Sequence, residues 1–320
     1  MLFEEDKEKL AVIIDANSMI HRAYHATLYA VNTETNKYES ILNYFKENNI
    51  KPNNATKLFL TWILYILNTN QIDYFVACWD SKEQTSRSQL NTEYKANRSR
   101  MAPELAIQID DCRKIIEMCG GVNVWIPGIE ADDIGGSIST FFNENNIKTI
   151  LYSSDKDWTQ LVDNDTSVVL IKNGGVKNWI KLTNENFMEL SGYECLKPKQ
   201  VMEFKMLFGD TSDNYKGPLG EKMAKTLLSQ YGNIDNIYSH LEELKPAIQT
   251  KIKQFCNDEM ENGMTCREFA YFMAHIFTTV ENIDKNIDSY FKKPVDMFEL
   301  QNFINDNKFS GFDKYIKKIK

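Results

Sequence analysis

The chain has 320 residues, 42% of them hydrophobic and 26% charged, with a formal net charge of −8, which suffices for a substantial buried core and excludes a disordered chain. The first ten residues, MLFEEDKEKL, are charged, so no secretory leader is expected. The longest nearly apolar run, LFLTWILYIL at 58–67, falls short of the roughly 20 residues that span a bilayer and reads as a buried helix, so no membrane partner is expected.

In chain order, AVIID ends at Asp15 and has the length and β-branched content of a buried strand. NSMIHRAYHATLYA then reads as a helix, Val31 to Asn54 as a surface excursion rich in Asn and Glu, and ATKLFLTWILYILN as the next helix. A second strand, YFVACWD, ends at Asp80. After it come a basic segment, a helix begun by Pro103 and running to Cys119, the short strand VNVWI, and a helix opening with EADDIGG. A further strand, TILYSSDKD, ends at Asp155 and Asp157, and SVVLI and NWIKL resemble two more. From about Asn184 helical periodicity dominates to the end.

Strands separated by helices predict an α/β fold whose central, mostly parallel sheet is flanked by helices, with a helical C-terminal subdomain. The expected division is 1–183 and 184–320. Ligands of such sheets bind beyond the carboxyl ends of the strands, where Asp15, Asp80, Asp155 and Asp157 fall.

The six cysteines, Cys78, Cys112, Cys119, Cys195, Cys256 and Cys266, include no C-x-x-C pair and read as reduced thiols of a cytosolic protein. His21 and His25 lie one helical turn apart, but no further zinc ligands accompany them.

Nine acids in five clusters carry the chemistry: Asp15; Asp80; Glu130, Asp132 and Asp133; Asp155 and Asp157; Asp210 and Asp213. Converging carboxylates repel unless cations hold them together, and oxygen-only ligands select hard ions, so the set predicts a site for two or three Mg²⁺ or Mn²⁺ ions. Any single acid could be a helix cap or a solvated group; nine together could not. Within an acidic protein, residues 82–100 are locally basic, with Lys82, Arg87, Lys95, Arg98 and Arg100 against Glu83 and Glu93.

In this order IIDANSMIHRAY, ACWDSK, YKANR, GIEADD, SSDKDWTQL, LFGDTSDN and GPLGEKMAKTLL resemble the 5′-nuclease superfamily: flap endonucleases, the 5′-exonuclease domain of bacterial DNA polymerase I, and phage 5′-3′ exonucleases including the phage ribonuclease H type. The likeness covers roughly residues 10 to 235. It implies a PIN-like α/β catalytic domain and a metal-dependent phosphodiesterase acting on 5′ flaps or primer ends in DNA replication or repair.

Carried over by residue, the resemblance assigns Asp15, Asp80, Glu130, Asp132 and Asp133 to one metal group and Asp155, Asp157, Asp210 and Asp213 to the other. Lys95 and Arg98, at i and i+3, would share a helix face and reach the scissile phosphate, Tyr94 would stack on a base, and Arg87 would contact a threaded strand within an arch at 82–102 that includes Lys82 and Arg100.

The resemblance also implies a helix-turn-helix-like element near 210–231, in which Gly217, Gly220 and Lys222 would grip duplex phosphates, often with a potassium ion. The glycine run here is shorter than the family's, and Glu221 stands where a neutral residue suits a phosphate, so K⁺ stays an open alternative. The run lacks the G-x-x-x-x-G-K-[ST] spacing of a P-loop.

The tail NKFSGFDKYIKKIK sets lysines around an apolar stripe of Phe309, Phe312, Tyr315, Ile316 and Ile319, which fits either a docked helix or a surface for DNA or a replisome protein. Expected partners are branched or 5′-ended DNA and RNA–DNA hybrid primers, with the protein a monomer in the cytoplasm of a bacterial or phage-infected cell. Two other readings stand beside this one: a PIN-type nuclease of single-stranded RNA, and a non-catalytic DNA-binding scaffold.

Overall fold

The computed structural model describes residues 8–31 and 38–319; the charged start of the chain and the middle of the excursion after Val31 lie outside them. Six strands form one sheet: Leu10–Asp15 (β1), Tyr74–Cys78 (β2), Val122–Val124 (β3), Lys148–Ser153 (β4), Thr166–Leu170 (β5) and Ile180–Leu182 (β6). They lie in the spatial order β3-β2-β1-β4-β5-β6, parallel except for the antiparallel β6. Ile13 of β1 stands opposite Val76 on one side and Leu151 on the other, which fixes the register of the three central strands.

Because strand order reverses between β1 and β4, a crevice opens beyond their carboxyl ends. Asp15 closes β1, Asp80 follows β2 by two residues, and Asp155 follows β4 by two. The strands thus aim three acids at that crevice.

Helices cover both faces of the sheet. Ala16–Ala26 (α1), Asn54–Thr69 (α2) and Ile109–Met118 (α3) bury Met19, Phe59 and Ile115 against Val12 and Ile14 on one face. Ala131–Glu144 (α4) buries Ile134, Ile138 and Phe142 against Ile13 and Val76 on the other. The predicted buried helix is α2, whose Phe59, Leu60 and Ile63 are fully enclosed. Among the described residues no helix is long and apolar enough to cross a membrane.

The helix expected from Pro103 to Cys119 is two, Pro103–Ala106 and α3. Gln108 sits at the break, fully buried, accepting from the Thr56 backbone N–H at 3.0 Å and donating to Asn54 and to the Glu104 carbonyl. Pinning α2 through a buried amide outweighs the continuity of one helix.

A third cluster, centred on Phe204, Leu207, Leu227, Leu228 and Ile252, belongs to Gln200–Phe208 (α5), Glu221–Tyr231 (α6), Pro246–Asn257 (α7) and Cys266–Ala274 (α8). Between α5 and α6, Gly209–Asp210 pairs antiparallel with Tyr215–Lys216, so the element is a helix–hairpin–helix. The close approach needs glycine at 217, since a Cβ there would stand 2.3 Å from the Leu207 carbonyl oxygen.

The tail departs from the helical half to which the 184–320 division assigned it. Leu300 and Ile304 of Met297–Asp306 (α9), with Phe309 and Phe312, join the core under α1, α2 and α3, and Tyr315, Ile316 and Ile319 pack partly against it. The apolar stripe is therefore largely taken up by docking against the chain's own core.

Candidate active site

One cleft of about 1530 Å³ gathers Asp15, Asp80, Glu130, Asp132, Asp155, Asp157 and Asp213, together with Lys82, Lys95, Arg98 and Arg100. Asp133 and Asp210 do not line it.

Local structure sets each acid. Asp15 caps α1, accepting from the Ser18 N–H at 3.0 Å, and its other oxygen accepts from the Ser153 hydroxyl at 2.5 Å. Asp80 accepts from the Ala131 N–H at the start of α4 (2.9 Å) and from the Asn17 amide (3.0 Å). Asp132 accepts from the Trp158 indole at 2.6 Å. Asp155 caps the short 3₁₀ turn Lys156–Leu161 through the Asp157 N–H.

Among the described residues Asp15, Asp80, Asp132 and Asp155 have no cation within ion-pair distance. Burial, with Asp155 and Asp80 nearby, raises the Asp15 carboxyl to about 7 against the bonds from Ser153 and Ser18. Burial and the charges of Asp15 and Asp155 push Asp132 well above its ordinary value. These four crowd negative charge without a direct ion pair, although the more distant Lys95 ammonium partly offsets Asp132.

The other five are compensated. Arg87, buried with 5% exposure, donates to both oxygens of Asp133 (2.8 and 2.9 Å), to Glu130 (3.1 Å), and to the carbonyls of Phe272 and His275. Arg87, which also lines the cleft, therefore ties α4 to the helical half through bonds that occupy its guanidinium. Asp133, which also accepts from the Phe277 N–H, is committed to that tie rather than to an ion. A guanidinium fork with two buried carboxylates satisfies charge and hydrogen bonds together, which an exposed phosphate contact would not.

Tyr94 also lines the cleft. It is buried, packed near Phe269 and Met273, and donates its hydroxyl to Glu130 at 3.0 Å. Lys95 and Arg98 do not share a helix face, because residues 91–98 form successive turns and Lys95 has φ +56°. They reach the acids separately, Lys95 to Glu130 and Arg98 to Asp213, each at 3.1 Å. Burial opposes the Lys95 charge, but Glu130 and Asp132 hold the ammonium above its ordinary value.

Asp157, Asp210 and Asp213 bring carboxylate oxygens within 4.8 Å of one another. Lys205 of α5 stands among them, paired with Asp157 and, at 2.5 Å, with Asp210. Against burial, Lys205 and Ser212 hold Asp210 down at about 2, whereas burial and Asp155 keep Asp157 up at about 6 despite the same lysine.

Oxygen donors alone make up this convergent group, and neither His21 nor His25 enters a convergent group among the described residues, so the donor set fits divalent metal ions held by carboxylates. Gly217, Gly220 and Lys222 do not line this cleft: Gly217 follows the hairpin, Gly220 caps α6 with open space around it, and Lys222 is exposed on the first turn of α6.

Asn17, Ser153, Trp158 and Lys205 escaped the sequence reading. Only Lys205 carried a signal, as the one lysine inside the apolar run VMEFKMLF, five residues before Asp210.

Comparison with known proteins bears on the same residues. Residues 10–192 match the model of the 5′-3′ exonuclease N-terminal, resolvase-like domain, and residues 196–297 that of the 5′-3′ exonuclease C-terminal SAM fold. The chain belongs to the 5′-3′ exonuclease family.

Within that family it is 36% identical over 290 residues to the 5′-3′ exonuclease of Mycoplasma pneumoniae, covering 90% of this chain and 92% of that one. It is 30% identical to the 5′-3′ exonuclease of Bacillus subtilis, over 96% of each. With the DNA polymerase I of Lactococcus lactis subsp. cremoris, 29% identical, it shares 96% of its own length but 33% of the polymerase. The fold is similar to that of T5 5′-exonuclease bound to zinc (TM-score 0.61, 18% identity, 94% of this chain and 98% of that one). It is also similar to a DNA complex of the Rad2 catalytic core (TM-score 0.57, 14% identity, 98% and 92%).

Proposed function

We propose that this family member is a structure-specific 5′ nuclease that hydrolyses phosphodiesters at 5′ flaps or primer ends, using Mg²⁺ or Mn²⁺. The observation that carries the reading is one cleft lined by seven of the nine predicted acids, four of them without an ion-pair partner among the described residues, with Lys95 and Arg98 reaching into it.

Unlike in the division that the resemblance implies, Asp155 moves to the first group, and Glu130 and Asp133, which are paired with Arg87 and Lys95, are left out: Asp15, Asp80, Asp132 and Asp155 would hold one ion, and Asp157, Asp210 and Asp213 a second. Bound there, such ions activate water and offset charge on the leaving oxygen. The protein supplies the rest. Asn17, Ser153, Trp158 and the Ala131 N–H orient the first set of acids. Lys95 and Arg98, released from Glu130 and Asp213, would meet the scissile phosphate, while exposed Lys82 and Arg100 would steer the strand. Gly217, Gly220 and Lys222, at the helix–hairpin–helix, would contact the duplex, with K⁺ unassigned.

We keep 1–183 as the catalytic part and 184 onward as the duplex-binding part, with the tail assigned to the first. RNA–DNA primers as substrates, a monomeric state and a cytoplasmic location belong to the same proposal.

The test is cleavage of a 5′-labelled flap duplex with Mg²⁺, with EDTA, and by the Asp132→Asn protein, beside a matched single-stranded RNA. Cutting near the junction by the metal-loaded wild type alone is the expected result. RNA-only cutting would replace it with the PIN-type reading, and flap binding without cutting with the scaffold.

A further inference from the structure

The two acid groups differ in what neutralises them. Asp15, Asp80, Asp132 and Asp155 have no ion-pair partner among the described residues, whereas Asp157 and Asp210 share Lys205, and Asp213 holds Arg98. Three carboxylates thus face two cations in the second group, and four face none in the first.

Lys205 is 6% exposed, and its helix neighbours Phe204, Met206 and Leu207 are core residues. Its ammonium lies among the carboxylate oxygens that would ligate an ion, 2.5 Å from Asp210 and paired with Asp157. An ammonium and a divalent cation cannot share donors at such distances, because they repel and compete for the same lone pairs.

We propose that Lys205 is a built-in counter-cation occupying the second ion's position in the metal-free protein, so that the second group loads only as the Lys205 ammonium withdraws. The inference rests on the reading of these acids as metal ligands. The stem stays anchored in the α5 core while the flexible end moves, as the four-carbon lysine chain allows. Loading is consequently ordered: the uncompensated group fills first, and the second ion binds more weakly because it must displace a charge already in place.

The test is Mn²⁺ binding, followed by the paramagnetic signal of the free ion, to the wild type and to Lys205→Met, which keeps an apolar stem. Wild type is expected to show a tight and a weak class. In Lys205→Met the weak class should tighten by about tenfold or more, with the tight class unmoved. A weak class unchanged in the variant, or both classes shifting together, would overturn the proposal.

A second readout needs no variant. In wild-type protein, lysine acylation read by mass spectrometry should find Lys205 protected in EDTA and exposed to reagent with saturating Mg²⁺. Equal labelling in the two conditions would count against displacement and decides the matter if Lys205→Met fails to fold. Absence of any Mn²⁺ binding would remove the nuclease reading itself, whereas Mg²⁺-dependent flap cleavage with an unmoved Lys205 would remove only this inference.

Discussion

Asp132 and Asp133 are neighbours in sequence but have opposite circumstances. Asp133 accepts two bonds from the buried Arg87 and one from the Phe277 N–H. Asp132 has the Trp158 indole and, among the described residues, no ion-pair partner. Asp133→Asn should therefore cost the fold about 3–5 kcal/mol, the toll of leaving Arg87 with a broken partner. Asp132→Asn should leave stability equal or higher in EDTA, since it deletes a repelled charge, and should abolish cleavage. Denaturant melts run beside flap-cleavage rates check both; a destabilised Asp132→Asn with a stable Asp133→Asn would reverse the assignment.

The same crowding makes metal-free stability depend on pH. Asp15 titrates at about 7 in the fold against an ordinary 3.8. A carboxyl raised on folding contributes stability that is whole below the unfolded value and disappears as pH climbs through the folded one. In EDTA the unfolding free energy should fall between about pH 4 and pH 7, on the order of 4 kcal/mol from Asp15 alone, and the melting temperature with it. Saturating Mg²⁺ or Asp15→Asn should flatten that slope. The sequence made these acids legible because each follows a strand or opens a helix. Burial was not legible, and burial is what makes Arg87 a structural tie.

Elements were most legible where one physical signal dominated. Apolar runs ending in aspartate became β1, β2 and β4, because a parallel sheet buries both faces of its strands. Three elements were read wrongly for lack of tertiary information: the first helix, which stops at Ala26 so that Tyr29–Val31 can pair as a strand with Tyr38–Ser40; the Pro103 helix, broken so that Gln108 can reach α2; and residues 91–98, which turn with Lys95 at φ +56° instead of forming a helix.

Helix α4 adds a prediction. A Cβ on Gly135 would stand 2.2 Å from Cη2 of the fully buried Trp158, whose indole holds Asp132. Ala has the better helix propensity by about 1 kcal/mol, yet Gly135→Ala should destabilise by about 1–3 kcal/mol through overpacking. Its cleavage rate should also drop, because a displaced indole no longer orients Asp132. Crystallography or indole NMR of the variant would show whether the Trp158–Asp132 bond survives; an intact bond with wild-type rate would refute the linkage.

At the scale of the molecule the chain doubles back. After the helical half, Phe291 bridges to Tyr74 at the start of β2, and α9 with the following turns packs under α1, α2 and α3. Periodicity could not show this, because an amphipathic tail reads the same whether its stripe meets a partner or its own core. Phe309 and Phe312 are 9% and 4% exposed, while Lys314, Lys317 and Lys318 stay at the surface. Phe312→Ala should therefore cost roughly 3–5 kcal/mol, by lost transfer energy and the cavity left behind. Replacing Lys314, Lys317 and Lys318 by Gln should leave stability within about 0.5 kcal/mol and can act only through long-range attraction of DNA. If the tail were a docking arm, the two results would exchange places: Phe312→Ala would be silent in a urea melt and would weaken only the capture of a partner. The core seen around Phe312 requires the urea midpoint to move, with the flap-cleavage rate of the still-folded fraction unchanged.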